Sequence, residues 1–386
     1  MITNLFDTVL DALKQRWKVK HAPRTKRAFR CQCGSPVFFR NSHCLSCQAP
    51  LGYAPMRGDL KALEPGDAPG TWRIAGDDND QVYRRCTNFH SAAGCNWLVP
   101  VEDPEERCLS CRLSRNVADL TDADNQRYWR AIEAGKRRLI SQLLALGLPV
   151  VSKESDPERG LAFDLLRSPA GGPRVLTGHG NGLITLNVEE ADDAIRERIR
   201  TELHEPYRTL LGHLRHEIGH YYWDRLVRDS SWLEPFRALF GDERADYGEA
   251  LKANYEQGPP ADWSERFISS YASAHPWEDW AETWAHFLHV VDSLDTAVAH
   301  GLDADDLELE IDPFTRDDLY APDDPQAERF LFLLNAWIEM VTVLNDLARS
   351  LGHRDFYPFA MPRAVVKKLH FIALVIRDAQ ESAAAT

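Results

Sequence analysis

In residues 210–226, Leu210, Leu211, Leu214, Ile218, Tyr221, Tyr222 and Leu226 recur mostly three and four positions apart, with polar side chains between them. That period lays the apolar groups along one stripe of an α-helix, so the spacing predicts an amphipathic helix within 206–228. A second stripe, Trp277, Trp280, Ala281, Trp284, Leu288 and Val291, follows Pro276, whose fixed φ suits a first helical turn. Phe330, Leu333, Leu334, Trp337 and Val341 form a third within 325–351. Further helices are expected at 125–146, near 190–203 and at 362–379. Strand patterns lie earlier. Residues 71–75 and 81–85 read as short strands in a turn-rich front, and Gly180 to Glu189 alternates apolar and polar after a glycine-rich turn. Strands first and helices after them make the class α+β.

A chain of 386 residues has room for two or three domains and a buried core. The patterns divide it into an amphipathic start and basic linker (1–30), a β-rich front (31–115) and a mainly helical remainder (116–386). Hydrophobic content of 44 % is ordinary for a soluble protein. No apolar run approaches the ~18 residues of a membrane span, and the run from Leu369 to Ile376 is too short. A net charge of −14 disfavours general contact with nucleic-acid phosphates. Lys14 to Arg30 opposes that trend with eight Lys or Arg and no acid, and reads as a solvated linker that could touch an acidic partner. Asp303 to Asp324 is acidic, contains proline and reads as a surface loop.

All eight cysteines fall before residue 112, in two groups of four. The first is Cys31, Cys33, Cys44 and Cys47; the second is Cys86, Cys95, Cys108 and Cys111. Both groups close on Cys-Leu-Ser-Cys. Such pairs grip one metal from a tight turn, and four thiolates complete a closed tetrahedral site, so two structural zinc ions are expected. The competing reading is two disulfide-rich lobes. Residues 1–17 form a polar amphipathic stretch without the apolar core of a signal peptide. A cytoplasmic location is therefore expected, where thiols stay reduced. The one-residue gap between Cys31 and Cys33 is tighter than usual, so His43 and His90 are kept as substitute ligands, and iron is compatible with either site.

Residues 216–220 read His-Glu-Ile-Gly-His. Two His four apart share one helix face, and both rings can bind one zinc while Glu217 reaches a water on it. A catalytic zinc needs a third protein ligand and an open fourth position. Glu278 and Glu282, one turn apart on the second apolar helix, are both candidates; one would ligate and the other would hold a ligating His ring. Asp224, one turn after His220, could orient that ring from behind or pair with a helix neighbour. His213, His286 and His289 read as structural, and His275 is kept as a substrate-side contact.

With these residues in view, the chain resembles the glutamate-ligand zincins (gluzincins), and within them the bacterial zinc-binding metallopeptidases that carry an N-terminal zinc-ribbon-like region. The helix after Tyr271 is also similar to its counterpart in anthrax lethal factor and the Mlc titration factor peptidases. There the zinc-binding Glu lies in a Glu-x-aromatic-Ala context with a Tyr seven residues before it, as Glu278 and Tyr271 do here. The resemblance implies Glu278 as third ligand, Glu282 behind a ligating His, and Tyr271 as a phenol aimed at the reacting carbonyl. It also implies that 182–188 is an edge strand able to pair with an extended peptide. The fold it implies is a mainly helical zincin-like domain behind a small β-rich zinc-ribbon-like region, holding one catalytic and two structural Zn2+.

The expected function is a zinc metallopeptidase cleaving a restricted protein or peptide substrate, with Glu217 as general base and Tyr271 as oxyanion donor. The rival is a catalytically idle zincin serving as an adaptor that binds a protein partner through its zinc-ribbon-like front. Hydrolysis of a non-peptide amide is a third possibility, and a front domain that gates the site is compatible with the enzyme reading.

Overall fold

A computed structural model of the chain describes residues 27–202, 205–302, 309 and 311–384. The amphipathic start, most of the basic linker and the most acidic part of 303–310 lie outside the described residues. The chain divides into two compact units, one within residues 23–199 and 299–301, the other within 200–298 and 302–386. The class is α+β.

In the first unit, β1 (Phe29–Arg30) and β2 (Pro36–Val37) form a small antiparallel ribbon. A five-stranded antiparallel sheet follows in sequence order: β3 (Leu51–Ala54), β4 (Asp59–Pro65), β5 (Thr71–Ile74), β6 (Tyr83–Arg85) and β7 (Leu98–Pro100). Ala54, Leu63, Ile74, Tyr83 and Leu98 are buried together with Trp72 packed against them, and Leu51, Tyr53, Leu60 and Trp97 are buried as well.

The unit continues through β8 (Ser114–Val117), α1 (Ala123–Ala145), β9 (Ala162–Leu166), β10 (Gly178–Gly180) and β11 (Leu183–Asn187). Asp122 caps α1 by accepting from the N–H groups of Asp124 and Asn125. On the buried face of α1, Lys136 pairs with Glu133 at 2.7 Å, and Ser114 donates to the same carboxylate at 2.6 Å. That pair is wholly enclosed, so each charge depends on the other.

The second sheet runs β10-β11-β9-β8, with β11 parallel to β9 and antiparallel to β10. The expectation of an edge strand at 182–188 is therefore corrected, because β11 is paired on both sides. Asn181 (φ 47°) and Gly182 (φ 73°) make a two-residue hairpin that folds β10 back onto it. A Cβ on Gly182 would lie 2.1 Å from the Gly160 carbonyl oxygen, so only glycine fits this turn.

α2 (Asp193–Glu202) crosses the boundary between the units. The second unit then holds α3 (Leu210–Leu226), α4 (Leu233–Phe240), α5 (Tyr247–Gln257), α6 (Trp263–Arg266), α7 (Pro276–His300), α8 (Ala327–Ser350) and α9 (Arg363–Ala384). α3 is enclosed on all sides from Leu214 to Trp223. It meets α7 at Gly219, where an added Cβ would come within 3.0 Å of Ala281 Cα and 3.2 Å of Trp284 Cβ. Trp280 Nε1 donates to the Gly219 carbonyl at 2.9 Å, and Tyr222 stacks on Trp284 with centroids 5.0 Å apart. Trp280 and Trp284 are fully buried, and each contributes up to ~4–6 kcal/mol by area.

α8 is, among the described residues, the one helix long and apolar enough to cross a membrane, with 44 % of its apolar window buried. Phe330, Leu333, Leu334 and Trp337 on it are core residues. The acidic stretch ahead of it is not all solvated loop as expected. Asp318 is buried against Arg363, and Asp324 is buried against Arg377 and His370, so the unit uses these acids as internal ion-pair partners.

Replacing Gly219 by Val is expected to force α3 from α7 at a cost of ~1–3 kcal/mol, read as a lower urea midpoint with unchanged slope. An unshifted midpoint would show that the crossing tolerates a side chain.

Candidate active site and metal centres

The N-terminus of α3 is capped by Thr209, whose hydroxyl accepts from Gly212 N–H at 3.0 Å. Two turns on, the helix presents His216 and His220 on one face, with their Nε2 atoms 3.2 Å apart. The first turn of α7 brings Glu278 to them: Oε2 is 3.0 Å from His216 Nε2, and Oε1 is 3.6 Å from His220 Nε2. All three side chains are buried, and their ligand atoms lie within 4.8 Å of one another. Tetrahedral zinc with ~2.0–2.1 Å bonds separates neighbouring ligand atoms by ~3.3 Å, so the set has the right spacing. Glu278 Oε2 accepts no hydrogen bond among the described residues, although it is enclosed. A buried carboxylate oxygen facing two imidazole nitrogens is a donor set that suits a cation.

The electrostatics agree. Burial alone would raise the Glu278 carboxyl, but His220 and His216 hold it well below the usual glutamate range. Burial would lower His216, but Glu278 and Glu282 hold its imidazolium well above the usual histidine range. Behind the site, Glu282 Oε1 lies 2.7 Å from His216 Nδ1, and Ser269 Oγ donates to Glu282 Oε2 at 2.6 Å. Burial opposes ionisation of Glu282, yet its hydrogen bond to His216 brings its pKa down to about 2. An ionised Glu282 fixes the ring so that Nε2 faces the cluster.

Glu217 points from α3 into the same space. Its Oε1 is 3.3 Å from His213 Nε2, one turn earlier, and its Oε2 accepts no hydrogen bond among the described residues. Burial would raise its carboxyl, but His213 and then His216 outweigh that and keep it ionised. Tyr271 begins a 3-10 turn ahead of α7, with its ring 5.9 Å from that of His216. Burial, reinforced by Glu278, pushes its phenol well above the usual range, so it stays a proton donor.

Other candidates fall elsewhere. Asp224 pairs with Arg228, four residues on and just past the end of α3. His275 is corrected as a substrate contact: its Nδ1 accepts from Trp277 N–H at 3.1 Å, and its Nε2 lies 3.2 Å from the Ala245 carbonyl. Both ring nitrogens therefore serve the backbone at the start of α7. His286 bonds Tyr357 at 2.7 Å and His289 bonds Arg215 at 2.7 Å, both inside the core. Sequence reasoning missed three neighbours of the site, namely His213, Ser269 and Tyr247. The His213–Glu217 spacing of four was legible; Ser269 lies two residues before Tyr271. Tyr247, whose hydroxyl donates to Glu278 Oε1 at 2.6 Å, lies 31 residues from its partner on a helix with no buried residue.

Each cysteine group also closes on a point. Cys31 and Cys47 sulfurs are 3.6 Å apart, and those of Cys33 and Cys44 are 3.8 Å apart. In the second group, Cys95 and Cys108 are 3.6 Å apart. Disulfide sulfurs would be ~2.05 Å apart, whereas ~2.3 Å zinc–sulfur bonds in a tetrahedron require ~3.8 Å. All eight cysteines are free. The tight gap in the first group is accommodated by a turn in which Gly34 N–H donates to the Cys31 carbonyl. His43 and His90 are corrected as substitute ligands: His43 neighbours Ser42, His90 packs on Phe89, and the four-sulfur clusters need neither. The first cluster exposes Cys33 and Cys47, while the second is buried throughout.

Comparison with known proteins bears on the same regions. Residues 125–375 match the model of a family described as "Putative zinc-binding metallo-peptidase", and residues 28–122 match a zinc-ribbon domain. An uncharacterized protein of Mycobacterium bovis is 44 % identical over 355 residues, covering 91 % of this chain and 96 % of its own. Uncharacterized proteins from two strains of Mycobacterium tuberculosis match to the same extent. No solved structure matches the chain.

Because His216 holds its proton more tightly than an ordinary histidine, a zinc ion entering this cluster must displace it. Zinc affinity at this site should rise about tenfold per pH unit until that proton is lost. Zinc titrations between about pH 6 and 7, with His216→Ala as the blank, would read the slope. A flat response would mean that His216 is already neutral.

Proposed function

Since the chain belongs to this family of zinc-binding metallopeptidases and carries a zinc-ribbon domain, we propose that it is a zinc-dependent peptidase acting on a restricted protein or peptide substrate. The carrying observation is the buried trio of His216, His220 and Glu278 with the carboxylate of Glu217 beside it. Three ligands leave a position open, the hallmark of a catalytic rather than a structural site. The donor set is that of the gluzincins.

A zinc ion held there supplies Lewis acidity that polarises a carbonyl and brings the pKa of water towards neutrality. Glu217 accepts the proton of the attacking water as its oxygen bonds to the scissile carbonyl carbon. Glu217 then delivers that proton to the departing amine as the carbon–nitrogen bond breaks. Tyr271 donates a hydrogen bond to the oxyanion, a contribution of ~2.7–4 kcal/mol for one such donor. Glu282, itself held by Ser269, keeps His216 in the ligating tautomer. The two cysteine clusters are proposed as closed structural zinc sites, giving three ions per chain. Eight free thiols gathered in metal-type clusters support a reducing, cytoplasmic setting. The zinc ribbon is proposed as the surface that engages a protein partner.

Metal analysis should find about three zinc ions per chain in the wild type and about two in His216→Ala. Glu217→Gln should keep all three and lose peptide cleavage by about 10²–10⁴-fold. Two ions in both wild type and His216→Ala would favour the adaptor reading. Cleavage unaffected by Glu217→Gln would remove the general-base assignment.

A further inference from the structure

Glu278 offers two oxygens to the cluster, and the structure treats them differently. Oε2 faces His216 Nε2 at 3.0 Å and accepts no hydrogen bond among the described residues. Oε1, 3.6 Å from His220 Nε2, accepts a 2.6 Å hydrogen bond from Tyr247. A carboxylate with both oxygens free can close on a metal through both and fill the position that water or substrate needs. One held by a short hydrogen bond presents a single oxygen.

Tyr247 is well placed for this task. It is the first residue of α5, directly after the cap Asp246, whose side chain accepts from Glu249 N–H at 2.9 Å. The Ala245 carbonyl just before it is held by His275 Nε2 at 3.2 Å, which ties the start of α5 to the start of α7. Its ring packs against His275 and Trp277, with centroids 5.3 Å and 5.9 Å away. The rest of α5 buries no residue, so the helix contributes little to the core.

We propose that Tyr247 is a positioning residue that holds the metal ligand Glu278 in one-oxygen coordination, keeping the remaining position at the metal open. This rests on the peptidase reading of the site. Glu278, fixed from behind by a phenol on α5, meets the metal through Oε2. Tyr247 acts through Glu278.

The test uses the full-length protein with zinc retained in both cysteine clusters and cobalt exchanged into the His/Glu site, and His216→Ala as the spectroscopic blank. Tyr247→Phe keeps the ring packing and removes only the hydroxyl. The expected result is a weaker visible cobalt absorption than wild type, as coordination rises from four to five. Zinc X-ray absorption should show the same change, and peptide cleavage should fall by about 10–100-fold. Two cysteine-bound zinc ions in the variant would confirm that it remains folded. An unchanged spectrum in Tyr247→Phe overturns the proposal and leaves the peptidase reading intact. Complete loss of the ion in the variant also overturns it, since Tyr247 would then be needed for binding rather than for coordination number. Wild type that takes up no cobalt beyond the His216→Ala blank overturns both readings together.

Discussion

The second unit depends on the close crossing of α3 and α7 at Gly219. With no side chain there, the backbone of α3 rests directly on Ala281, and Trp280 reaches the Gly219 carbonyl. This contact sets the distance between the helix that carries both histidines and the helix that carries Glu278. It therefore fixes the ligand spacing as well as the core packing. Gly219, one of three residues between the paired histidines, thus works as a spacer, and the tryptophans around it make the crossing rigid.

Around that crossing, the unit encloses an unusual density of charge. Glu217 and Glu278 are buried and Glu282 is partly buried near two histidines, and each acid stays ionised because an imidazole or a hydroxyl faces it. The same logic recurs deeper in α7, where Asp279 is pushed up to about 6 by burial that Lys368 only partly offsets. Asp279 is one residue from Glu278 but pairs with Lys368 in the core, while Glu278 faces the two histidines.

The first unit is held on different terms. Its strands are two to seven residues long, and two four-sulfur clusters lie among them. The second is sealed under α1, where Lys136 and Glu133 form an enclosed pair beside Cys111. The first leaves two of its sulfurs at the surface. The clusters share a closing tetrapeptide but differ in access, and only packing made that distinction.

Local spacing settled a good deal of this protein in advance. A spacing of four between histidines puts both rings on one helix face whatever the fold, and paired cysteines at short range bring sulfurs together from a single turn. Apolar stripes announced α3, α7 and α8, although α3 is enclosed on all sides from Leu214 to Trp223 and not along one face only. Other features carry no local signature. α5 buries none of its residues and is capped by Asp246, so no core-facing stripe marked it along the chain. β11 alternates as an edge strand would, but the Asn181–Gly182 turn supplies a partner and closes that edge. Two glutamates one turn apart on the same helix face look equivalent along the chain. Only the crossing at Gly219 decided that Glu278 faces both Nε2 atoms while Glu282 stands behind His216. Tyr247 and Ser269 joined them for the same reason: the contacts that orient a ligand form between segments distant in sequence, and those meet only when the helices pack.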